Sequence, residues 1–161
     1  MIKFIQENFR YEGGFLYRTT NRGGERVGSV AGWLTECNGR PYRKMSINGK
    51  TAYVHHIIFL LHHGFLPKYI DHKDGDSTNN KIENLRSATQ SQNMANSTMK
   101  SSNTSGYKGV TFRKDTGKWQ AALMVNGRHI SLGSHVTKEE ARDAYFFGSQ
   151  KHFGEFAKAT I

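Results

Sequence analysis

The chain has 161 residues and a mass of 18.2 kDa, which allows one ordinary domain or two small ones. Its mean hydropathy is −0.67, and no apolar run reaches the roughly eighteen residues that a membrane-spanning helix needs. The single cysteine, Cys37, excludes an internal disulfide, and the first residues lack the apolar segment of a secretory signal. These features exclude membrane proteins and disulfide-rich secreted proteins, and we expect a cytoplasmic protein with no membrane contact.

The charge is strongly positive and unevenly distributed. Lysine and arginine number 23 against 13 acidic residues, a formal net charge of +10 at pH 7. Residues 1–66 hold 9 basic and 4 acidic residues, residues 100–161 hold 10 and 5, and residues 67–99 hold 4 of each. This distribution favours a polyanionic partner bound by both flanks. Five arginines of the first flank either contact phosphates or are solvated turn residues: Arg18, Arg22, Arg26, Arg40 and Arg43.

The first third of the chain predicts short strands followed by one helix. Asn48-Gly49 is a strong hairpin signal, because both central positions of a type I′ turn need a positive φ. Apolar residues at helical spacing then predict a helix from His55 to His63 that ends at Gly64. Candidate strands lie at residues 15–20, 27–34, 43–47 and 50–54.

A strand–loop–strand–helix unit follows. A short strand is expected at Tyr69–Asp71, and residues 73–76 have the composition of a turn. Residues 82–88 predict the returning strand. Thr89 is a suitable N-cap for a helix that reaches about Asn96.

The last part of the chain predicts a separate module after a small polar linker at residues 99–106. Thr137 and Glu140 have the spacing of a capping box, which predicts the start of a helix. The predicted fold class is therefore α+β, with a small N-terminal β-sheet, a strand–strand–helix unit, and a three-stranded antiparallel sheet packed on one helix. The three strands are expected at residues 107–113, 118–125 and 128–133.

The segment from Tyr69 to Asn96 carries the candidate catalytic residues. Asp71 supplies a hard anionic oxygen and Asn93 a neutral carbonyl oxygen, which are ligands suited to Mg²⁺ or a similar ion. Histidine titrates near neutral pH, so His72 is a candidate general base. Neighbours on a regular strand point to opposite faces. Asp71 and His72 can therefore share one site only where the chain leaves strand geometry before the next turn.

This segment resembles the His-Asn-His (HNH) endonuclease family, specifically its phage and homing-endonuclease branch. The resemblance rests on Asp71-His72, on Asn84 and Asn93 at thirteen and twenty-two residues after the aspartate, and on the preceding YVHHIIFLLHHG with His55. It implies a ββα-metal (His-Me finger) motif. It also implies that Asp71 and Asn93 bind one divalent metal and that His72 is the general base. The matching Asn84 would stiffen the loop and help to orient that histidine, with His55 as a supporting group.

The metal that the resemblance implies is Mg²⁺ or Mn²⁺. The third position of the motif is often histidine in the wider family, whereas this chain has Asn93, which disfavours a zinc-dependent nicking variant. His55, His56, His62 and His63 have spacings that allow pairs on one helix face. No acidic or cysteine partner accompanies them. No structural zinc is therefore expected.

Residues 105–158 resemble the Apetala-type ethylene-response-factor DNA-binding domain. The matching motifs are the Tyr-Lys-Gly-Val opening, Gly-Lys-Trp, Ser-Leu-Gly and the Glu-Glu-Ala-Arg-x-Ala-Tyr helix. The resemblance implies that the open face of the sheet enters the major groove of double-stranded DNA. The candidate DNA contacts are Lys108, Thr111, Arg113, Lys118, Gln120, Met124, His129 and Ser131.

Strand alternation sorts the same module into two faces. The residues expected to face the helix are apolar, and Trp119 is expected in the core rather than stacked on a base. Apetala-type domains of plants often carry arginine at the positions of Thr111 and Met124. We therefore do not expect this chain to recognise the DNA sequence that the plant domains bind. The apolar set comprises Val110, Phe112, Trp119, Ala121, Leu123, Val125, Ile130 and Leu132.

The sequence predicts a metal-dependent, homing-type DNA endonuclease, phage-encoded and active in the host cytoplasm. The expected domains are residues 1–98 for the nuclease, with its ββα-metal core at about 54–98, and residues 107–161 for DNA binding. The alternatives are a non-catalytic DNA-binding regulator with a decayed nuclease motif and an RNA-binding or RNA-cleaving protein. The target sequence, nicking against double-strand cleavage, and monomer against homodimer are left open.

Overall fold

The computed structural model describes residues 1–21, 24–99 and 102–158, so Arg22 and part of the predicted linker lie outside the described residues. The chain divides into two compact units, residues 1–87 and 88–161. Small antiparallel sheets and four helices make up the structure, which confirms the α+β class. Within the described ranges, no helix is both long and apolar enough to cross a membrane.

The first unit begins with a helix that the sequence analysis did not predict, α1 at Ile2–Asn8. Its single buried residue, Ile5, belongs to the core of this unit. The strands that follow form one antiparallel hairpin, β1–β2, and one three-stranded antiparallel sheet in the order β3-β4-β5. Their bounds are Phe9–Glu12 (β1), Phe15–Arg18 (β2), Trp33–Cys37 (β3), Arg40–Ile47 (β4) and Lys50–Tyr53 (β5).

The predicted strand at residues 27–34 is wrong for most of its length. β3 starts only at Trp33, and Val30 contributes no more than an isolated bridge to Tyr17. Gly28 and Gly32 have positive φ values of 83° and 84°, which break an extended strand. Gly32 also lies so close to β4 that a Cβ there would collide with the backbone carbonyl of Lys44. Close backbone approach therefore prevails over the apolar pattern.

The hairpin predicted at Asn48-Gly49 is confirmed. β4 and β5 pair antiparallel around it, with Ile47 opposite Lys50. Asn48 and Gly49 have φ values of 50° and 75°, as a type I′ turn requires.

The helix predicted from His55 is α2, Val54–His63, and it ends at Gly64 in the left-handed conformation with φ 75°. One face of α2 is buried in the core of the first unit, where Val54 and Ile58 are fully enclosed. Burying an aliphatic side chain of this size contributes about 1.5–3 kcal/mol. The rest of this core is formed by Ile5, Phe9, Leu16, Ala31, Met45, Ile47, Ile57, Phe59, Ile70 and Leu85.

A two-stranded sheet completes the first unit. β6 spans Tyr69–His72 and pairs with β7, Leu85–Ala88. The returning strand was expected from residue 82, but residues Ile82–Asn84 form a 3₁₀ turn. The backbone N–H of Asn84 donates to the Lys81 carbonyl at 2.9 Å, so these residues close the loop before the strand begins.

The second unit begins with α3, Gln90–Asn96, whose predicted N-cap is confirmed. The Thr89 side chain accepts from the Gln92 backbone N–H, and the Gln92 side chain accepts from the Thr89 N–H. α3 contributes Ala95 to the core of this unit, and the Ser91 hydroxyl donates to the Met124 carbonyl at 3.1 Å. The domain boundary that the sequence predicts at residue 98 stays a prediction. The two compact units of the structure are divided between residues 87 and 88, before α3.

A three-stranded antiparallel sheet in the order β10-β9-β8 packs on a long helix, α4. The capping box predicted at Thr137 and Glu140 is confirmed. Phe112, expected to face the helix, is instead 46% exposed. Val110 is the only buried residue of the edge strand β8, and Phe112 packs on half-buried Trp119 with ring centroids 5.0 Å apart. The bounds are Val110–Arg113 (β8), Lys118–Val125 (β9), Arg128–His135 (β10) and Lys138–Phe153 (α4), followed by a 3₁₀ turn at Gly154–Phe156.

Candidate active site

The predicted aspartate and histidine are both buried at the end of β6. Asp71 is 3% exposed and His72 is 7% exposed. Asp71 and His72 contact different residues, as the alternation of strand side chains leads one to expect. Asp71 Oδ2 accepts a hydrogen bond from Arg86 Nε on β7 at 2.8 Å. His72 instead contacts Asn80 and the helix α2. The adjacent positions therefore supply two chemically distinct groups.

His72 is held by a buried asparagine, Asn80, in the loop that follows β6. His72 Nε2 lies 3.0 Å from Asn80 Oδ1, and Asn80 is only 2% exposed. Because an amide oxygen can only accept, this contact requires the imidazole proton on Nε2. The other ring nitrogen, Nδ1, then carries the lone pair. The contact thus fixes both the orientation of the ring and the nitrogen that can act as a base.

Asn84 closes the loop that follows His72. Its Oδ1 accepts from the Asp74 backbone N–H at 3.1 Å, and its Nδ2 donates to Asp74 Oδ1 at 3.0 Å and to the Asn79 carbonyl at 2.8 Å. Asn84 holds Asn79, and the next residue, Asn80, contacts the histidine. The loop therefore links Asn84 to His72 indirectly.

The carboxylate of Asp74 accepts several of the hydrogen bonds that hold this loop together. Burial raises its pKa, but hydrogen bonds from Asn79, from the Asp76 backbone and from Asn84 outweigh burial, and the result is a lowered pKa. Asp74 thus stays ionised while it accepts these bonds. The side chain that sequence reasoning placed in a turn braces the loop.

His55 lies against His72 at the first turn of α2. The two rings are 5.0 Å apart in an edge-on arrangement, and His55 is 5% exposed. Burial, together with the charges of His56 and His72, lowers the pKa of His55 to about 2. Its Nδ1 is buried without a hydrogen-bond partner among the described residues. Burial and His72 also lower the pKa of His56. This cluster therefore favours neutral imidazoles beside His72.

Asn93, the second predicted metal ligand, lies on α3 and so belongs to the second unit, whereas Asp71, His72, Asn84 and His55 belong to the first. Its backbone N–H donates to the Thr89 carbonyl at 3.0 Å.

Comparisons with known proteins identify the family. Residues 52–95 match the family model described as HNH endonuclease. Protein 3.8 of Escherichia phage T7 is 34% identical to this chain over 97 residues, which cover 59% of this chain and 79% of Protein 3.8. The chain belongs to the HNH endonuclease family. No solved structure matches the chain.

The matched HNH segment contains every residue predicted for catalysis and metal binding, and also Asn80 and Arg86. The family supports a nuclease and implies DNA as its substrate. Sequence reasoning missed Asn80 and Arg86, because an asparagine in a turn and an arginine in a short strand are usually solvent-exposed. Only their burial and their contacts with His72 and Asp71 reveal them.

HNH nucleases generally use a divalent metal, and the donor chemistry of the first unit suits such an ion. Asp71 supplies a carboxylate and His55 an uncharged, unpartnered imidazole nitrogen. In the part of the chain that the structure describes, no three His, Cys, Asp or Glu side chains are grouped to hold a metal. An ion here would therefore depend on few acidic or histidine ligands and on amide oxygens or water.

Beyond the HNH segment, the sheet of the second unit gathers seven of the eight predicted DNA contacts on one face. Thr111 pairs with Gln120 and Arg113 with Lys118 in the β8–β9 register. In the β9–β10 register, Met124 pairs with His129, and Ser131 pairs with Ala122, which shares the face of Gln120 and Met124. Six of the seven are exposed and the other is half-buried: Thr111, Arg113, Lys118, Met124, His129 and Ser131, with Gln120.

Lys108, the eighth predicted DNA contact, lies elsewhere in the second unit. Its ammonium donates to the carbonyls of Met94, Ala95 and Ser97 at 2.7–2.9 Å. A lysine at this position neutralises the negative end of α3 and satisfies its last carbonyls. Lys108 thus fixes α3 onto the module that begins at β8.

Proposed function

We propose that this chain is a metal-dependent DNA endonuclease of the homing type, with His72 as the general base. The observation that carries the proposal is the buried contact between His72 Nε2 and Asn80 Oδ1. It leaves the lone pair on His72 Nδ1, where a water molecule can lose its proton as it attacks the phosphorus. The Asn84-braced loop supports this geometry through Asn79 and Asn80.

Asp71 and Asn93 are the proposed ligands of one Mg²⁺ or Mn²⁺ ion. Their carboxylate and amide oxygens are hard donors of the kind that such ions prefer. When bound, the ion supplies positive charge that stabilises the scissile phosphate and the departing oxygen. Asp71 would orient the ion, while His72 accepts the proton of the attacking water. The resemblance to homing enzymes implies products with 5′-phosphate and 3′-hydroxyl ends.

The C-terminal module, which resembles the Apetala-type domain, is proposed to bring DNA to the nuclease. Its open sheet face carries Arg113, Lys118 and His129 among polar neighbours, a composition suited to phosphate and base-edge contacts. Binding by this module raises the local concentration of the nuclease at its site. The partner is double-stranded DNA.

A specific observation favours one alternative, a DNA-binding regulator with a decayed nuclease motif. Arg86 forms an ion pair with Asp71, and this pair neutralises the carboxylate that a metal would need. A regulator would bind DNA through the same C-terminal sheet and cut nothing.

The deciding experiment incubates supercoiled plasmid with the full chain and Mg²⁺ or Mn²⁺, with EDTA as the metal-free arm. We expect metal-dependent nicked or linear product, which His72→Ala loses by at least about a hundredfold. His152→Ala, which removes an exposed histidine of α4, is the matched control and should cleave like the wild type. DNA binding without cleavage under either metal would establish the regulator instead.

A further inference from the structure

Arg86 and Asp71 form a buried ion pair inside the HNH segment. Arg86 Nε lies 2.8 Å from Asp71 Oδ2, and the two side chains are 10% and 4% exposed. The partners lie on β7 and β6, which pair with each other. Two other ion pairs of the first unit, Arg10–Glu12 and Arg18–Glu25, each include a side chain that is at least 49% exposed. Arg86 is therefore placed to compensate the charge of one particular buried carboxylate.

A buried carboxylate is costly unless a positive charge compensates it. In the protein without a metal, Arg86 does so. A divalent cation on the same carboxylate would compensate the charge instead, and it would repel the guanidinium. With the ion bound, the guanidinium of Arg86 and the ion together carry more positive charge than the single carboxylate of Asp71 can balance.

The guanidinium has a natural second partner in the proposed substrate. Arginine presents its N–H donors in a planar fork that fits a phosphate as well as a carboxylate. In the proposed function, the ion on Asp71 also stabilises the scissile phosphate, so this phosphate would lie close to the Asp71 carboxylate and its partner Arg86. Arg86 could then donate to a phosphate oxygen while Asp71 turns to the metal.

We propose that Arg86 is a positioning residue that exchanges Asp71 for a DNA phosphate, so that metal and DNA bind this chain cooperatively. In the absence of DNA, Arg86 holds Asp71 and competes with the metal. When DNA is bound, the phosphate takes up the guanidinium and Asp71 is released to the ion. The inference rests on the proposed function, in which Asp71 binds a metal and the substrate is DNA.

The test measures Mn²⁺ binding by calorimetry, with and without a short duplex, in the wild type and in Arg86→Met. His72→Ala is added to both proteins in every arm, so that the duplex is not cleaved and each comparison is made within one protein. For the wild type, we expect the duplex to tighten Mn²⁺ binding by about tenfold or more. For Arg86→Met, we expect tighter Mn²⁺ binding without DNA, again by about tenfold, and little further gain from the duplex.

Two further variants separate exchange from a structural role. Arg86→Lys keeps the positive charge and loses the planar set of N–H donors. Without DNA, it should bind Mn²⁺ as weakly as the wild type, and the duplex should tighten its Mn²⁺ binding less than in the wild type. Arg10→Met removes an exposed, paired arginine of the same unit and should behave like the wild type. A merely structural Arg86 predicts weaker Mn²⁺ binding in Arg86→Met, because a distorted site binds less well. Thermal unfolding with and without Mn²⁺ checks that each variant is folded.

The outcomes distinguish this inference from the proposed function. A wild type that cleaves DNA, but whose Mn²⁺ affinity is unchanged or weakened by Arg86→Met, overturns the exchange and leaves the nuclease intact. Equal Mn²⁺ affinity with and without duplex in the wild type also overturns it. A wild type that binds no Mn²⁺ in either arm and cleaves nothing overturns both.

Discussion

Asn80 Oδ1 lies 3.0 Å from His72 Nε2, and both residues are buried in the same unit. Through this contact, a loop with the polar composition of a surface turn orients the imidazole of His72. The Asn79-Asn80 sequence signals a turn, yet one of these asparagines faces solvent-exposed Asp74 and the other faces the candidate base.

Asn80→Ala should reduce cleavage by about ten- to a hundredfold, because the imidazole loses its fixed orientation and tautomer. The buried His72 Nε2 would also lose its partner, which costs about 1–3 kcal/mol of stability. Cleavage rates of Asn80→Ala, His72→Ala and the double variant check this. If Asn80 acts through His72, the double variant is no slower than His72→Ala alone. Additive losses would assign Asn80 a separate role.

Asn84→Ala should loosen the loop after β6, because three hydrogen bonds of its side chain disappear. At about 0.5–1.5 kcal/mol for each bond, with discounts for exposure, we expect a loss of about 1–3 kcal/mol. Urea unfolding measures the loss. Asn79→Ala, which removes one hydrogen bond to Asp74 Oδ2 and a long one from the Lys81 backbone N–H, is the milder comparison. An Asn84→Ala variant as stable as Asn79→Ala would contradict the bracing role.

The first unit should lose stability in mild acid because of His55. Its pKa is about 2 in the folded protein, against 6.5 for an ordinary histidine, so the unfolded chain binds a proton that the folded chain does not. Stability from this residue is present above pH 6.5 and is lost as the pH falls from 6.5 towards 2. The slope is at most about 1.4 kcal/mol per pH unit. Chemical unfolding at pH 7 and pH 5 should show a smaller pH effect in His55→Phe; an unchanged effect would assign the acid sensitivity to other groups.

Gly109→Ala should destabilise the second unit by at least about 2 kcal/mol. The residue has φ 69°, and a Cβ there would collide with the Tyr145 ring and the Ala122 carbonyl. Gly117→Ala is the matched control, since it has φ 65° and open space around its Cβ position. The control should cost only about 1 kcal/mol through its backbone conformation. Thermal unfolding compares the two, and equal losses would refute the steric argument.

Lys118→Ala should weaken DNA binding uniformly across sequences if the open sheet face contacts the phosphates. The slope of log affinity against log salt concentration should decrease by about 1, because one fewer counterion is released. Lys151→Ala, an exposed lysine in the last turn of α4, serves as the control. Fluorescence anisotropy over a range of salt concentrations gives both slopes. A larger effect from Lys151 would move the DNA-binding surface to the helix side.

Local signals in the sequence predicted much of the secondary structure. Asn48-Gly49 specified its hairpin through positive φ, and Thr89 and Thr137 specified helix starts through capping. Such features depend on residues within one or two turns of each other, so sequence suffices to find them. The strand expected at residues 27–34 does not form over most of its length, because the backbone of Gly32 lies close to β4. This strand is distant in sequence, so no local signal predicts the contact.

The candidate site shows the same division. Residue types in the sequence indicated Asp71, His72 and Asn93 as candidates for hydrolytic chemistry, because that chemistry requires hard oxygen ligands and a base, and the resemblance to the HNH family added Asn84 through its spacing. Tertiary structure alone decided that Asn80 orients the histidine and that Arg86 neutralises the aspartate. Because Asn80 and Arg86 are largely buried, their polar groups must form hydrogen bonds within the protein rather than with water, and their partners are His72 and Asp71.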